Sequence, residues 1–229
     1  MKLKYNGITD IDSWFEKKPP MGGEKQWKDG RSAKEFARYM TKNYPAVPNE
    51  IEDLLLNFTS VGSDFEWDAE YVTSFEKYGL GRGEGRNHDG MMVNGDIFVG
   101  IEGKADESLG NLLKDEMKNA SDNKMKRING MIDMLFGDSP ENHKNIRYQL
   151  ITASTATLLE AKERGLNRAL LLVLVFKKDG SYLESKTERN DADVSKFLAE
   201  TNAKTMNYCW KIPTKTGIEF YFKKIDIEL

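Results

Sequence analysis

One cysteine, Cys209, and two histidines, His88 and His143, are all that the 229 residues contain of those types. An internal disulfide framework, a cysteine-based zinc site and a histidine-rich metal site are therefore excluded. Proline is sparse, and no Pro/Gly/Ser-rich linker, repeat or low-complexity tract divides the chain. The longest apolar run, residues 169–176, is strand-sized, far short of the roughly 20 residues of a membrane span. The opening Met1-Lys2-Leu3-Lys4-Tyr5-Asn6-Gly7 lacks the apolar stretch of a signal peptide. The expectation is a soluble, cytoplasmic protein with no membrane partner. A basic excess is missing too: 34 Lys and Arg face 37 Asp and Glu, a net charge of −3. That argues against a protein whose main task is coating nucleic acid, and leaves room for an enzyme touching it through one patch.

What is present suits a single α/β domain over 1–229 with an N-terminal helical extension over 1–60. Residues 11–30 read as irregular, pinned by Trp14 and Trp27, because Lys17-Lys18-Pro19-Pro20-Met21-Gly22-Gly23 is turn chemistry. Ser32 and Glu35 form a capping box opening a helix to about residue 43, and Asn49 with Glu52 forms a second cap. Strands are expected at 71–75, 89–93 and 96–104, the last two joined by Asn94-Gly95, a strong hairpin signal. Helical stripes follow at Leu109, Leu112, Leu113 and Met117 and at Met125, Ile128, Ile132 and Leu135. A helix over 146–164 ends at Gly165 and feeds the run 169–176, whose continuous apolarity suits a strand covered on both faces. A helix near 191–203 and strands at 208–212 and 218–222 complete a mixed sheet.

The stretch with chemistry in it runs from Asn87 to Glu107. With Asn94-Gly95 as a two-residue loop, Asp89 pairs with Gly100, and Asp89, Gly100, Glu102 and Lys104 share one face. Asp89 and Glu102 become diagonal neighbours, and Gly100 leaves space beside them. His88 falls opposite Ile101, on the other face. Two carboxylates and a lysine are costly to bury in an apolar hairpin unless paired or metal-bound. Oxygen ligands without imidazole or thiolate suit Mg²⁺ or Mn²⁺. Lys104 could then orient or deprotonate a water, or neutralise developing phosphoryl charge.

Asp89 followed by Glu102-Gly103-Lys104 on the next strand resembles the Asp…(Asp/Glu)-x-Lys signature of the PD-(D/E)XK nuclease superfamily. His88 stands where that signature has proline. The resemblance implies a restriction-endonuclease-like αβββαβ core flanked by helices. It covers 65–178, leaving a helical insertion at 108–136 and a C-terminal helix and strands at 179–229 outside. It also implies a Mg²⁺- or Mn²⁺-dependent nuclease hydrolysing phosphodiester bonds, of DNA before RNA. Asp89, Glu102 and the Gly103 carbonyl would hold the metal, and Lys104 would serve the water. Gln149 resembles the glutamine some members place beside the site, and Glu35 the helix-borne acid others add as a further metal ligand. Restriction-like enzymes that cut both strands are often dimers, so a homodimer stays open.

Other readings compete. Asp89, Glu102 and Lys104 could form a cross-strand salt bridge, Glu35 a simple cap, and Asp106 and Glu107 a helix start with only an outside claim on a metal. Lys114, Lys118, Lys124, Lys126 and Arg127, with Arg82 and Arg86, could receive a phosphate backbone or face solvent. The run Gly79-Leu80-Gly81-Arg82-Gly83-Glu84-Gly85 precedes a strand rather than a helix, so it is no P-loop. The alternative for the whole chain is a catalytically inactive restriction-like fold used for DNA binding or protein interaction.

Overall fold

The computed structural model describes residues 1–83, 85–105, 107–177 and 184–229, the side chains of 184–187 excepted. Among them the chain runs β1 (Lys2–Leu3), α1 (Ile11–Lys17), α2 (Ser32–Thr41), α3 (Asn49–Leu55), β2 (Asp64–Thr73), β3 (Arg86–Val93) and β4 (Phe98–Lys104). It continues with α4 (Leu113–Met117), α5 (Asp122–Leu135), α6 (Tyr148–Glu163), β5 (Arg168–Lys177) and α7 (Glu184–Glu200). The short β6 (Lys204–Thr205) and β7 (Trp210–Ile212) and the long β8 (Glu219–Glu228) end it. The strands form one mixed sheet in the order β1-β2-β3-β4-β5-β8-β7-β6. The α/β mixed sheet expected from the pattern is present.

β5 is parallel to both of its neighbours, β4 and β8. Its alternate residues enter two different cores. Ala169, Leu171, Val173 and Val175 pack with α5 and α6, while Leu170, Leu172, Leu174 and Phe176 pack with α1, α2 and α3. Burial on both faces is why this strand has no polar alternation. Its parallel pairing with β4 needs a crossover, which α4, α5 and α6 supply. Gly165, at φ +66°, turns the chain between α6 and β5, a left-handed position that glycine occupies without Cβ strain.

The N-terminal layer departs from expectation in three places. Asn49 is the first residue of α3 and makes no side-chain cap, Pro48 standing at the cap position. Residues 11–17 are helical, because the Asp10 carboxylate accepts from Ser13 N (2.8 Å) and the Ser13 hydroxyl accepts from Asp10 N (3.1 Å). Those reciprocal bonds satisfy donors at the helix start. Ser32, in contrast, caps nothing: its hydroxyl accepts from Ala105 N at 2.9 Å, tying the start of α2 to the end of β4. Phe36, one turn on, lies against Gly90 and Gly103, where a Cβ would come within 2.8 Å and 3.1 Å of its side chain. The two glycines thus let α2 sit directly over the β3–β4 hairpin.

Candidate active site

The β3–β4 hairpin has a different register from the expected one. Asn94 does not sit in the loop as a turn residue: its N–H donates to Ile97 O (3.3 Å), and its side-chain oxygen accepts from Asp96 N and Ile97 N. The two-residue loop is therefore Gly95-Asp96. Met91 faces Gly100 and Gly90 faces Ile101, so the next position sets Asp89 directly opposite Glu102 instead of diagonal to it. The slip is two residues, which keeps the same face inward. Gly100 leaves no space for a ligand. A Cβ there would lie 2.3 Å from Thr157 Oγ1 of α6 and 2.9 Å from His88 Cε1.

His88 is likewise on the other face from the one expected. Pairing between β2 and β3 runs through Ala69–Gly90 and resumes at Tyr71–His88, with Glu70 and Asp89 between them. Glu70 has φ +46°, and the inward faces reverse there: Ala69 packs with the N-terminal core, Tyr71 with the α6 core. The reversal carries His88 onto the Glu102 side, where Nδ1 is 3.2 Å from Glu102 Oε1 in a fully buried contact.

Glu102 is the hub. The Arg86 guanidinium and His88 meet Oε1, while Gln149 Nε2 (3.3 Å) and Lys104 Nζ (4.0 Å) face Oε2. Burial would raise its pKa, but Arg86, His88 and Lys104 overcome this and hold it down at about 2. Asp89, half-buried at the cleft, accepts from Gly103 N at 2.7 Å. Burial and the Glu102 charge still push it up to about 6. Glu70 is pushed up to about 7 by burial and by Asp89, against the opposing bond from Asn87 Nδ2 at 2.5 Å. Burial works against the charge on Lys104, yet Asp89, Glu102 and Glu107 hold its pKa above the ordinary value. His88 is pushed down by burial, against the Glu102 contact.

The fold therefore brings Asp89, Glu102, Gly103, Lys104 and Gln149 together. Glu35 is not with them: its carboxylate accepts from Gly30 N (2.6 Å) and Arg38 (3.0 Å) and lines a separate cavity beside Tyr39 and Leu229. Asp106 lies outside the described residues, as does Glu84 of the glycine-rich run. Glu107 begins no helix; it lines the cleft and meets Lys104 at 3.4 Å.

Glu70, Lys25 and Arg31 line the cleft without belonging to any motif in the sequence. A strand expected only at 71–75 leaves Glu70 outside it. The alternation Phe65, Trp67, Ala69 against Glu66, Asp68, Glu70 would have found β2 and its last acid. Arg86 was weighed only as a phosphate contact, since no spacing rule links it to Glu102.

The sequence profile of a family described as Domain of unknown function (DUF6946) matches residues 7–229. The chain belongs to that family. No curated protein and no solved structure matches it.

In this DUF6946 chain Glu70, Asp89 and Glu107 line an open cleft of about 450 Å³, while Glu102 is buried. Lys104 and Gln149 line the cleft too, as do Lys25 and Arg31 from the loop before α2. Among the described residues, no three Asp, Glu, His or Cys side chains converge as a ready metal-ligand group. The donors nonetheless fit a hard divalent cation in kind: they are carboxylates, with no thiolate among them. Burial holds both Glu70 and Asp89 above the ordinary carboxyl range, helped at Glu70 by the Asp89 charge and at Asp89 by the Glu102 charge, a crowding of negative charge that a cation would relieve. Glu102 could join them only by exchanging Arg86.

Proposed function

We propose that the cleft is a metal-dependent phosphodiesterase site acting on nucleic acid, DNA before RNA, in a PD-(D/E)XK-like core. The observation that carries this reading is the meeting of Asp89, Glu102 and Lys104 from two paired strands, with Glu70 from a third: Glu70, Asp89 and Lys104 line one open polar cleft, and Glu102 is buried beside Lys104. The order α2, β2, β3, β4, α6, β5 supports the restriction-endonuclease-like αβββαβ core. The left-handed backbone at Glu70 adds support. Such a conformation costs a non-glycine residue roughly 1–2 kcal/mol, and strain of this kind clusters at functional sites.

Glu70, Asp89 and Glu102, with the Gly103 carbonyl, would hold Mg²⁺ or Mn²⁺, Glu70 filling the place sought for Glu35. The ion's chemistry is to polarise a phosphoryl oxygen and make water a better nucleophile. Lys104 stays protonated beside three carboxylates, so it donates to the attacking water and to developing phosphoryl charge and takes up no proton. Gln149 Nε2 orients the Glu102 carboxylate from α6. Lys25 and Arg31, which also line the cleft, bring positive charge towards a phosphate backbone.

The test is cleavage of labelled single- and double-stranded DNA in Mg²⁺ and Mn²⁺ by the wild type and Lys104→Ala. Cleavage by the wild type, reduced at least 100-fold in a variant that keeps its Mn²⁺-dependent stabilisation, is expected. Equal rates would refute the assignment. A second reading has one observation in its favour: the Arg86–Glu102 ion pair already neutralises the deepest acid. Under it the fold is an inactive DNA-binding or protein-interaction module. It predicts salt-sensitive DNA retention that neither Mn²⁺ nor Lys104→Ala alters beyond the loss of one charge.

A further inference from the structure

A second cavity, of about 350 Å³, shares Arg86 and Gln149 with the main cleft. We propose that it is a nucleobase subsite, which takes one unpaired base adjoining the phosphodiester held in the cleft. The proposal rests on the nucleic-acid reading of that cleft.

The walls of the cavity are aromatic and already braced. Tyr148 opens α6, and its N–H donates to Asn111 O at 2.9 Å. Phe75 is buried beneath the Arg127 guanidinium, 5.4 Å from its ring centre. Arg127 is fixed there by bonds to Leu80 O (3.4 Å) and Arg82 O (2.8 Å). Aromatic and guanidinium planes are the surfaces on which unstacked bases settle.

The rim is polar. Glu116 accepts from Lys124 Nζ (2.5 Å) and from Asn111 Nδ2 (2.9 Å), and Lys124 also lies 5.9 Å over the Tyr148 ring. A rim that carries the Glu116 carboxylate beside aromatic walls suits a neutral heterocycle better than a second phosphate. Glu116 and Asn111 together offer acceptors and donors to a base edge. Arg86 lines both cavities and is held by its ion pair with Glu102, so it fixes the wall shared by a base in one cavity and a phosphate in the other. A base inside a duplex cannot enter such a pocket, so the substrate class is DNA with an unpaired nucleotide: a single strand, an end or a bulge.

The test is binding, in EDTA so that no metal-dependent cleavage occurs. The probes are a duplex with 2-aminopurine in a one-nucleotide bulge, the same duplex with that base paired, and free 2-aminopurine deoxynucleotide. The full chain should bind the bulged duplex at least 5-fold tighter than the paired one, with a change in 2-aminopurine fluorescence. Tyr148→Ala should weaken the bulged complex about 5- to 100-fold and abolish the fluorescence change, and Tyr148→Phe should keep both. Equal affinity for bulged and paired duplex would overturn the subsite. So would unchanged binding by Tyr148→Ala, or free nucleotide binding as tightly as the bulged duplex. Bulge preference without cleavage in Mg²⁺ would leave the subsite standing and remove the nuclease reading; cleavage without bulge preference would do the reverse.

Discussion

Glu70 and Asp89 are the two cleft carboxyls whose pKa values are raised, and the sign of their effect on stability follows from that direction. Both carboxyls bind their protons more tightly in the folded chain, at about 7 and about 6. Their contribution to stability is full below the ordinary carboxyl range and is lost as the pH rises through 6 to 7. Glu102 has the opposite sign: held at about 2, it stabilises the fold above the ordinary value and loses this as the pH falls towards 2. The metal-free protein should therefore lose stability between about pH 4 and pH 7. Glu70→Gln should recover about 1–3 kcal/mol of that at pH 8 and almost nothing at pH 4, as read by urea denaturation at both pH values. A variant that tracks the wild type at both would show that Glu70 is not crowded. Divalent ions compete with the same protons. Mn²⁺ affinity should therefore rise with pH across this window, and titration calorimetry in two buffers should detect proton release.

At the scale of elements, the hairpin shows what pattern alone could and could not reveal. The paired strands, the turn chemistry and the inward face of Asp89, Glu102 and Lys104 were all legible in alternation and in Asn94-Gly95. The register was not, because the Asn94 side chain makes a local turn with Asp96 and Ile97 that the dipeptide rule does not describe. The face reversal at Glu70 was also invisible. It breaks the period-two pattern of β2 halfway along, which is why only a short, poorly alternating strand was expected there. Glu35 was a candidate only through the resemblance to a helix-borne acid, and nothing in the sequence shows which end of the sheet that acid would meet; its carboxylate binds Gly30 N and Arg38. Gly100 has its value in packing, since it admits Thr157 and His88 to the sheet. Gly100→Ala should cost about 1–3 kcal/mol by denaturant titration and push His88 away from Glu102. A neutral substitution would show that α6 can give way.

Across the whole molecule, the buried β5 and its parallel neighbours form the middle of the sheet, while the loop before α2 and the start of α6 meet the ends of β3 and β4. The loop before α2 brings Lys25 and Arg31, and the α4–α5 insertion brings Lys124 and Arg127, so cationic groups gather near the site although the chain is net negative. Few phosphate contacts are available, and a log–log salt dependence of DNA binding with a slope of only about −2 to −4 is expected. A slope near −8 would require a basic surface elsewhere. That Glu70, Asp89 and Glu102 hold a divalent cation is tested most directly by thermal unfolding of the wild type and Asp89→Asn, each with and without Mn²⁺. A site in the native state must raise the melting temperature by linkage, so the wild type should shift upward with Mn²⁺ and Asp89→Asn should not. Equal shifts in both proteins, or none in the wild type at millimolar Mn²⁺, would contradict a metal centre at this cleft.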